Sequence, residues 1–158
     1  MRRYFVTIVK MSFVLYLAVL FILLFVRQRG NWWSDLSMVE YAMMHMNLVP
    51  FKTIGGYIKA IADQSMNLNI PIENLLGNLL MFLPAGMYLP FFSEKINSLK
   101  RLIFGMIPIF LIIELGQFFT KRGAFDIDDL ILNMTGAIIG YLIWRSKPVQ
   151  SLFYKLNR

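Results

Sequence analysis

The feature that most constrains this chain is a set of four long apolar runs. They cover residues 4–26, 75–92, 102–119 and 126–144. A membrane-spanning helix needs about 20 predominantly apolar residues, and each run reaches or approaches that length. The last run does so only if the aspartates at its start lie at the membrane edge. The pattern predicts an all-α membrane protein, in which a single domain over residues 1–158 forms a bundle of four transmembrane helices.

The composition supports a membrane protein and argues against several other classes. Apolar residues make up 58% of the chain and charged residues 16%, against roughly 25% charged in soluble domains. The net charge of +7 comes mostly from basic residues at the ends of the apolar runs, as expected beside a membrane, so no nucleic-acid partner is predicted. Because the chain has no cysteine, disulfides and thiolate metal sites are excluded. We predict neither a metal nor a cofactor.

The basic residues also predict the orientation of the bundle. Four spans place both termini on one side of the membrane. If that side is the cytoplasm, ten of the 16 Lys and Arg residues lie on inner segments and six on outer ones, which agrees with the positive-inside rule. Because no small-residue cleavage site follows the first apolar run, we expect a retained helix rather than a signal peptide.

A long outer loop, residues 27–73, separates the first two spans. Within it, four apolar residues recur at the spacing of one helical face. These residues are Ile54, Tyr57, Ile58 and Ile61. The stripe predicts a short amphipathic helix that lies on the outer leaflet or packs over the bundle.

Polar residues inside the last three spans converge on one depth. Asn74 and Asn78 are one helical turn apart near the second span, and Glu114 and Gln117 share a face of the third. All lie near the predicted outer ends, and intramembrane polar residues usually face protein or a water-filled cavity. We therefore predict an outward-facing polar and acidic pocket. Its candidate ligand-binding residues are Asn74, Asn78, Glu114, Gln117, Arg122, Asp126, Asp128, Asp129 and Asn133.

Two further spacings bear on this pocket. Arg122 precedes Asp126 by four residues and is the predicted counter-charge for the acidic residues. Gly136 and Gly140 form a G-x-x-x-G pair, which allows another helix to approach closely. A simpler interpretation stays open for each polar residue: hydrogen bonds between helices, worth about 1 kcal/mol, or acids placed at a helix N-terminus. The convergence of three helices favours the pocket.

Several motifs stand in order along the chain. Residues 47–51 read N-L-V-P-F, and residues 74–86 fit N-x-x-G-N-x-x-x-F-x-P-x-G. E-L-G-Q follows at 114–117, and R-x-x-x-D-I-x-D-x-x-x-N-x-x-G at 122–136. With these motifs the chain resembles the VanZ family of bacterial membrane proteins over most of its length.

The resemblance implies a multi-pass protein that acts at the outer face of the bacterial plasma membrane. Founding members of the family confer resistance to teicoplanin, with little protection against vancomycin and without rebuilding the peptidoglycan terminus. Many relatives lie outside antibiotic-resistance clusters. The implied partners are membrane lipids and either teicoplanin or a lipid-linked cell-wall precursor. The motif positions carried over are Asn74, Asn78, Pro84, Glu114, Gln117, Arg122, Asp126, Asp128, Asp129 and Asn133.

Several functions remain open. The leading hypothesis is an envelope protein that lowers sensitivity to lipoglycopeptides through the pocket. The alternative is a membrane enzyme acting on a lipid or cell-wall precursor, with carboxylates that hold Mg²⁺ or Mn²⁺ or serve as general acid and base. Because Glu114 lies within a span, transport or proton relay is a third hypothesis. Against it, the inner halves of the last three spans are almost without polar side chains. A fourth hypothesis is a structural partner that binds another membrane protein through Gly136 and Gly140.

Overall fold

The computed structural model of the protein describes residues 2–26 and 35–156. Within them the chain forms seven α-helices, one π-helical turn and two very short strands. The helices are α1 (Arg2–Phe21), α2 (Met38–His45), α3 (Lys52–Asp63), α4 (Asn69–Phe92), α5 (Leu99–Phe119), α6 (Ile127–Arg145) and α7 (Lys147–Leu156), with the π-helical turn at Ile22–Val26. The strands are β1 (Met46–Asn47) and β2 (Phe125–Asp126). Residues 27–34 of the predicted outer loop lie outside the described part of the chain.

Four of the described helical segments are long and apolar enough to cross a membrane, as predicted. They are Arg3–Val26, Asn69–Phe92, Leu99–Phe119 and Ile127–Arg145. The second begins six residues before the predicted start at residue 75, because a helix tolerates proline in its first turn and the early Pro71 does not stop it. The all-helical, four-span architecture is thus confirmed, and the side of the membrane that each end faces stays a prediction.

The predicted short helix of the outer loop is also present, as α3. It packs over the bundle against α4 and α6, and Ala60 on its inner side is buried. Two helices, α2 and α7, were not predicted. The first begins with a capping box, in which Ser37 and Glu40 bond each other's backbone N–H groups. The second is amphipathic and lays Phe153 against Trp144.

The closest helix pair in the bundle is α4 with α6, and glycines make the approach possible. A Cβ atom built on Gly136 would lie 1.9 Å from the carbonyl oxygen of Leu79, and one on Gly140 the same distance from that of Leu83. The predicted G-x-x-x-G contact therefore exists, but its partner is α4 of the same chain. The hypothesis that this face binds another membrane protein is wrong, since α4 covers it.

The core lies between α4, α5 and α6 and holds the helices in register. Phe82 of α4 meets Phe110 of α5 edge-on at 4.8 Å between ring centroids, and both are 1% exposed. The first span joins through polar and aromatic contacts: Tyr16 donates to the carbonyl oxygen of Met81 at 2.9 Å. At one end of the bundle, α4 and α6 begin and α5 ends.

The segment between the first two spans is fastened to that end by the two strands. They pair in parallel, with Met46 opposite Phe125 and Asn47 opposite Asp126. Because Asp126 directly precedes α6, this pairing sets the segment between the first two spans beside the first turn of the last span. The contact positions α3 above the polar residues of the bundle.

Candidate functional site

A cavity of about 700 Å³ opens at this end of the bundle. Side chains from the first span, α2, α3, α4, α5 and α6 line it. Eight of the nine candidate ligand-binding residues are among them: Asn74, Asn78, Glu114, Gln117, Arg122, Asp126, Asp129 and Asn133. The structure therefore brings together residues from three helices that the sequence placed at one depth. That these residues bind a ligand stays a prediction.

The floor of the cavity is acidic and almost sealed from solvent. Glu114, on α5, is 2% exposed, and Asn133, on α6, is 3% exposed. The carboxylate of Glu114 accepts a hydrogen bond from the backbone N–H of Asp126 at 3.4 Å. The end of α5 is thereby joined to the start of α6 through a buried carboxylate.

Asp126 serves as the N-cap of α6 and as a junction between three segments. Its Oδ1 accepts from the N–H of Asp128 at 2.8 Å and from the amide Nδ2 of Asn47 at 2.9 Å. Its Oδ2 accepts from the hydroxyl of Thr53 at 2.6 Å. A carboxylate at this position satisfies N–H groups that the first helical turn leaves without partners. It also ties the segment that carries Asn47 and Thr53 to the bundle.

Asp128, the ninth candidate, does not line the cavity. It is fully buried, and its carboxylate faces the start of α3. It accepts from the backbone N–H groups of Phe51, Thr53 and Ile54 at 2.5, 2.7 and 3.0 Å. Since α3 has no side-chain N-cap of its own, Asp128 supplies the missing acceptor from another helix. This carboxylate holds α3 in place over the cavity.

Asp129 faces the cavity together with a polar side chain of α4. The amide Nδ2 of Asn78 donates to its Oδ1. One turn further along α6, the Oδ1 of Asn133 is buried without a hydrogen-bond partner, and within the described part of the chain no other buried side-chain polar atom is in that state. Buried polar atoms are nearly always satisfied, so this oxygen marks a place where a donor is missing.

The rim of the cavity carries polar groups that bond the first span and neighbouring backbone. Gln117 donates through Nε2 to the carbonyl oxygen of Leu24 at 2.9 Å, and Arg122 donates to that of Phe25. Asn74 donates to the carbonyl oxygen of Ile70 within its own helix at 2.7 Å. Arg122 therefore stands at the rim and bonds the first span. The hydrogen bonds to the carboxylate of Asp126 come from neutral donors. These are the side-chain amide of Asn47, the hydroxyl of Thr53 and the backbone N–H of Asp128.

Sequence reasoning missed several residues that build the site. Tyr41 is 1% exposed, and its hydroxyl donates to the carbonyl oxygen of Gly123 at 2.9 Å; burial raises its pKa. Its ring lies 4.5 Å from that of His45, and both line the cavity. Asn47 had a signal, because it opens the N-L-V-P-F motif, whereas the short helix α2 offered none strong enough to place Tyr41.

One wall of the cavity is apolar and continues onto the outside of the bundle. Ile72, Leu76 and Leu80 lie at intervals of four residues along α4 and line the cavity. They are also 42%, 52% and 56% exposed, so the cavity is open along this apolar side of a candidate membrane-spanning helix. A molecule in the cavity can therefore contact both the acidic floor and this side of α4.

Among the described residues, no group of three or more His, Cys, Asp and Glu side chains is arranged to hold a metal ion. The chemistry that the site offers from its own residues is that of buried carboxylates and amides. Such groups accept hydrogen bonds from a donor and attract positive charge.

The fold and the site together define a class: a multi-pass membrane protein with a polar cavity at one end of a four-span helical bundle. The chain belongs to the VanZ/LLP1 family, which it matches over residues 13–152. It is similar to Protein VanZ of Enterococcus faecium, with 27% identity over 112 residues, which cover 71% of this chain and 60% of that protein. The chain thus matches somewhat less than two thirds of its curated relative's length. No solved structure matches the chain.

Proposed function

We propose that this protein binds an amphiphile in the bacterial plasma membrane and lowers sensitivity to teicoplanin and similar lipoglycopeptides at the outer membrane face. The observation that carries the proposal is the shape of the cavity. It combines an acidic floor at Glu114 with an apolar wall along Ile72, Leu76 and Leu80 that continues onto the lipid-facing surface. A polar headgroup can enter the floor while an acyl chain stays against the wall.

The volume and location of the cavity agree with this role. Ligand pockets occupy roughly 300–1,000 Å³, and this cavity measures about 700 Å³. In the orientation predicted from the sequence, six of the 16 Lys and Arg residues belong to outer segments and ten to inner ones. The positive-inside rule therefore supports an outward-facing cavity with both termini in the cytoplasm.

The proposed mechanism is interference with membrane anchoring. Teicoplanin carries an acyl chain that holds it at the membrane, and vancomycin does not. A protein that binds the anchored drug, or the lipid-linked cell-wall precursor beside it, lowers the drug's effect only when the drug depends on the membrane. Membership of the VanZ/LLP1 family is the reason to connect this chain with the phenotype, and membrane lipids are the other expected partners.

The test is a set of minimum inhibitory concentrations in a susceptible Gram-positive host. The chain, Glu114→Gln and Asp129→Asn are expressed at equal levels, and teicoplanin is compared with vancomycin. We expect the wild-type chain to raise the value for teicoplanin alone and both variants to lose that effect. Asp63→Asn is the matched control, since Asp63 is an exposed carboxylate at the end of α3.

Two results would contradict the proposal. Full protection by Glu114→Gln and Asp129→Asn would show that the acidic floor is not involved. No protection by the wild-type chain, with expression confirmed, would separate this member from the drug phenotype and leave the cavity with a different amphiphile.

A second candidate is a membrane enzyme that acts on a lipid or cell-wall precursor. The observation in its favour is the burial of Glu114 beside Asp126 in one cavity, because a buried carboxyl group is suited to general acid–base catalysis. It predicts turnover of a lipid-linked precursor by the purified chain in lipid, lost in Glu114→Gln. Unchanged substrate after prolonged incubation with wild-type protein would reject it.

A further inference from the structure

The unpartnered oxygen of Asn133 indicates what the cavity accepts. Asn133 is 3% exposed and lines the cavity, yet its Oδ1 has no hydrogen-bond partner. Leaving a buried acceptor unsatisfied is energetically unfavourable. A donor that enters the cavity can satisfy this oxygen.

The neighbours of Asn133 are acceptors too. Asp129 precedes it by one helical turn on α6, and Glu114 lines the same cavity from α5. Asp129 receives one hydrogen bond from Asn78, and a carboxylate can accept about four. The floor thus offers an amide oxygen and two carboxyl groups in one cavity.

We propose that this floor binds the primary ammonium group of an amphiphile, with Asn133, Asp129 and Glu114 as its acceptors. A primary ammonium carries a positive charge and has three N–H donors on one atom, which matches acceptors that converge from two helices. It satisfies the Oδ1 of Asn133 and offsets the repulsion between the two carboxylates. This inference rests on the proposed function, because the apolar wall along α4 supplies the contact for the rest of the amphiphile.

The experiment compares headgroups on one chain length. The full chain is placed in phosphatidylcholine nanodiscs, whose quaternary headgroup has no N–H donor. Octylammonium, octyltrimethylammonium and 1-octanol are titrated by calorimetry, with empty nanodiscs as reference. We expect octylammonium to bind about tenfold or more tightly than either of the others, because only it combines charge with N–H donors.

Variants assign the binding to Asn133. Asn133→Leu keeps a side chain that branches at Cγ and removes the acceptor, so octylammonium affinity should fall about tenfold while 1-octanol affinity stays the same. Asn97→Leu is the control, since Asn97 is exposed at the opposite end of the bundle. The comparison of the three headgroups on the wild-type chain decides the inference even if Asn133→Leu does not fold.

The outcomes separate this inference from the proposed function. Equal binding of all three compounds would overturn the ammonium site and leave an amphiphile site in place. Equal binding of octylammonium and octyltrimethylammonium would reject the hydrogen-bonding role of Asn133. No binding of any compound would overturn both proposals. Binding of Mg²⁺ alone that is lost in Asp129→Asn would reassign the floor to a metal.

A final arm identifies the source of the ammonium. If phosphatidylethanolamine in the nanodisc weakens octylammonium binding, a lipid headgroup occupies the site. If it has no effect while octylammonium still binds, the site is assigned to an amphiphile that arrives from solution.

Discussion

Replacement of Asp128 by asparagine should release α3 from the bundle while leaving the four spans folded. The carboxylate of Asp128 accepts from three backbone N–H groups at the start of α3, at 2.5, 2.7 and 3.0 Å, and the residue is fully buried. Asparagine keeps the shape but turns one acceptor oxygen into an NH₂ group. At least one backbone N–H of α3 then faces another donor.

The expected magnitude follows from these contacts. A hydrogen bond to a charged group contributes about 1.5–3 kcal/mol, and loss of the negative charge also removes its favourable interaction with the α3 N-terminus, about 0.3–2 kcal/mol. Because such contributions are not additive, we expect a loss of about 3 kcal/mol in the free energy that holds α3 closed. That corresponds to roughly a hundredfold faster exchange of the α3 amides.

The assay is hydrogen exchange by mass spectrometry on the protein in nanodiscs, compared across peptides from α3 and from α4 to α6. Asp63→Asn is the control, because Asp63 is exposed and bonds only locally to Ser65. Exchange in α3 that rises less than about threefold would refute the assignment, since a lost charged hydrogen bond must cost more than that. An equal rise in the spans would show that Asp128 stabilises the bundle rather than the docked helix.

Three further outcomes are expected. Gly136→Ala should lower the melting temperature in detergent, whereas Gly77→Ala should not, because a Cβ on Gly136 meets a carbonyl group of α4 at 1.9 Å and one on Gly77 meets open space; equal melting of the two variants would contradict the close packing. Tyr41→Phe should destabilise the docked α2 by about 1 kcal/mol through the lost hydrogen bond, seen as faster amide exchange there, and unchanged exchange would show that the bond contributes nothing. Hydrogen bonds from Ser37 lower the pKa of Glu40 from its ordinary 4.5, so the capping box stabilises α2 above that pH and this contribution is lost as the pH falls through the lowered pKa. After correction for intrinsic exchange rates, amide exchange in α2 should therefore become faster at acid pH in the wild-type chain but not in Ser37→Ala. An equal response in both would refute the role of the capping box.

The spans and the polar end of the bundle are readable from the sequence because both depend on local composition. Four apolar runs mark the spans, and the alternating direction of successive spans places Asn78, Glu114 and Asn133 near one depth. The helices α2 and α7 escape this kind of reasoning, since they are too short to span a membrane and their formation depends on docking. Asn47 belongs to the N-L-V-P-F motif, but no sequence pattern links it with Asp126, which lies 79 residues further along the chain.

What the sequence determined by itself is a four-span membrane protein of the VanZ/LLP1 family with acids and amides gathered at one end. Only the tertiary structure gave the three aspartates different roles: Asp126 caps α6, Asp128 caps α3, and Asp129 faces the cavity. These three residues are nearly equivalent in sequence, within one helical turn. Their roles differ because each side chain points to a different partner, and for Asp128 that partner lies 77 residues away in the chain.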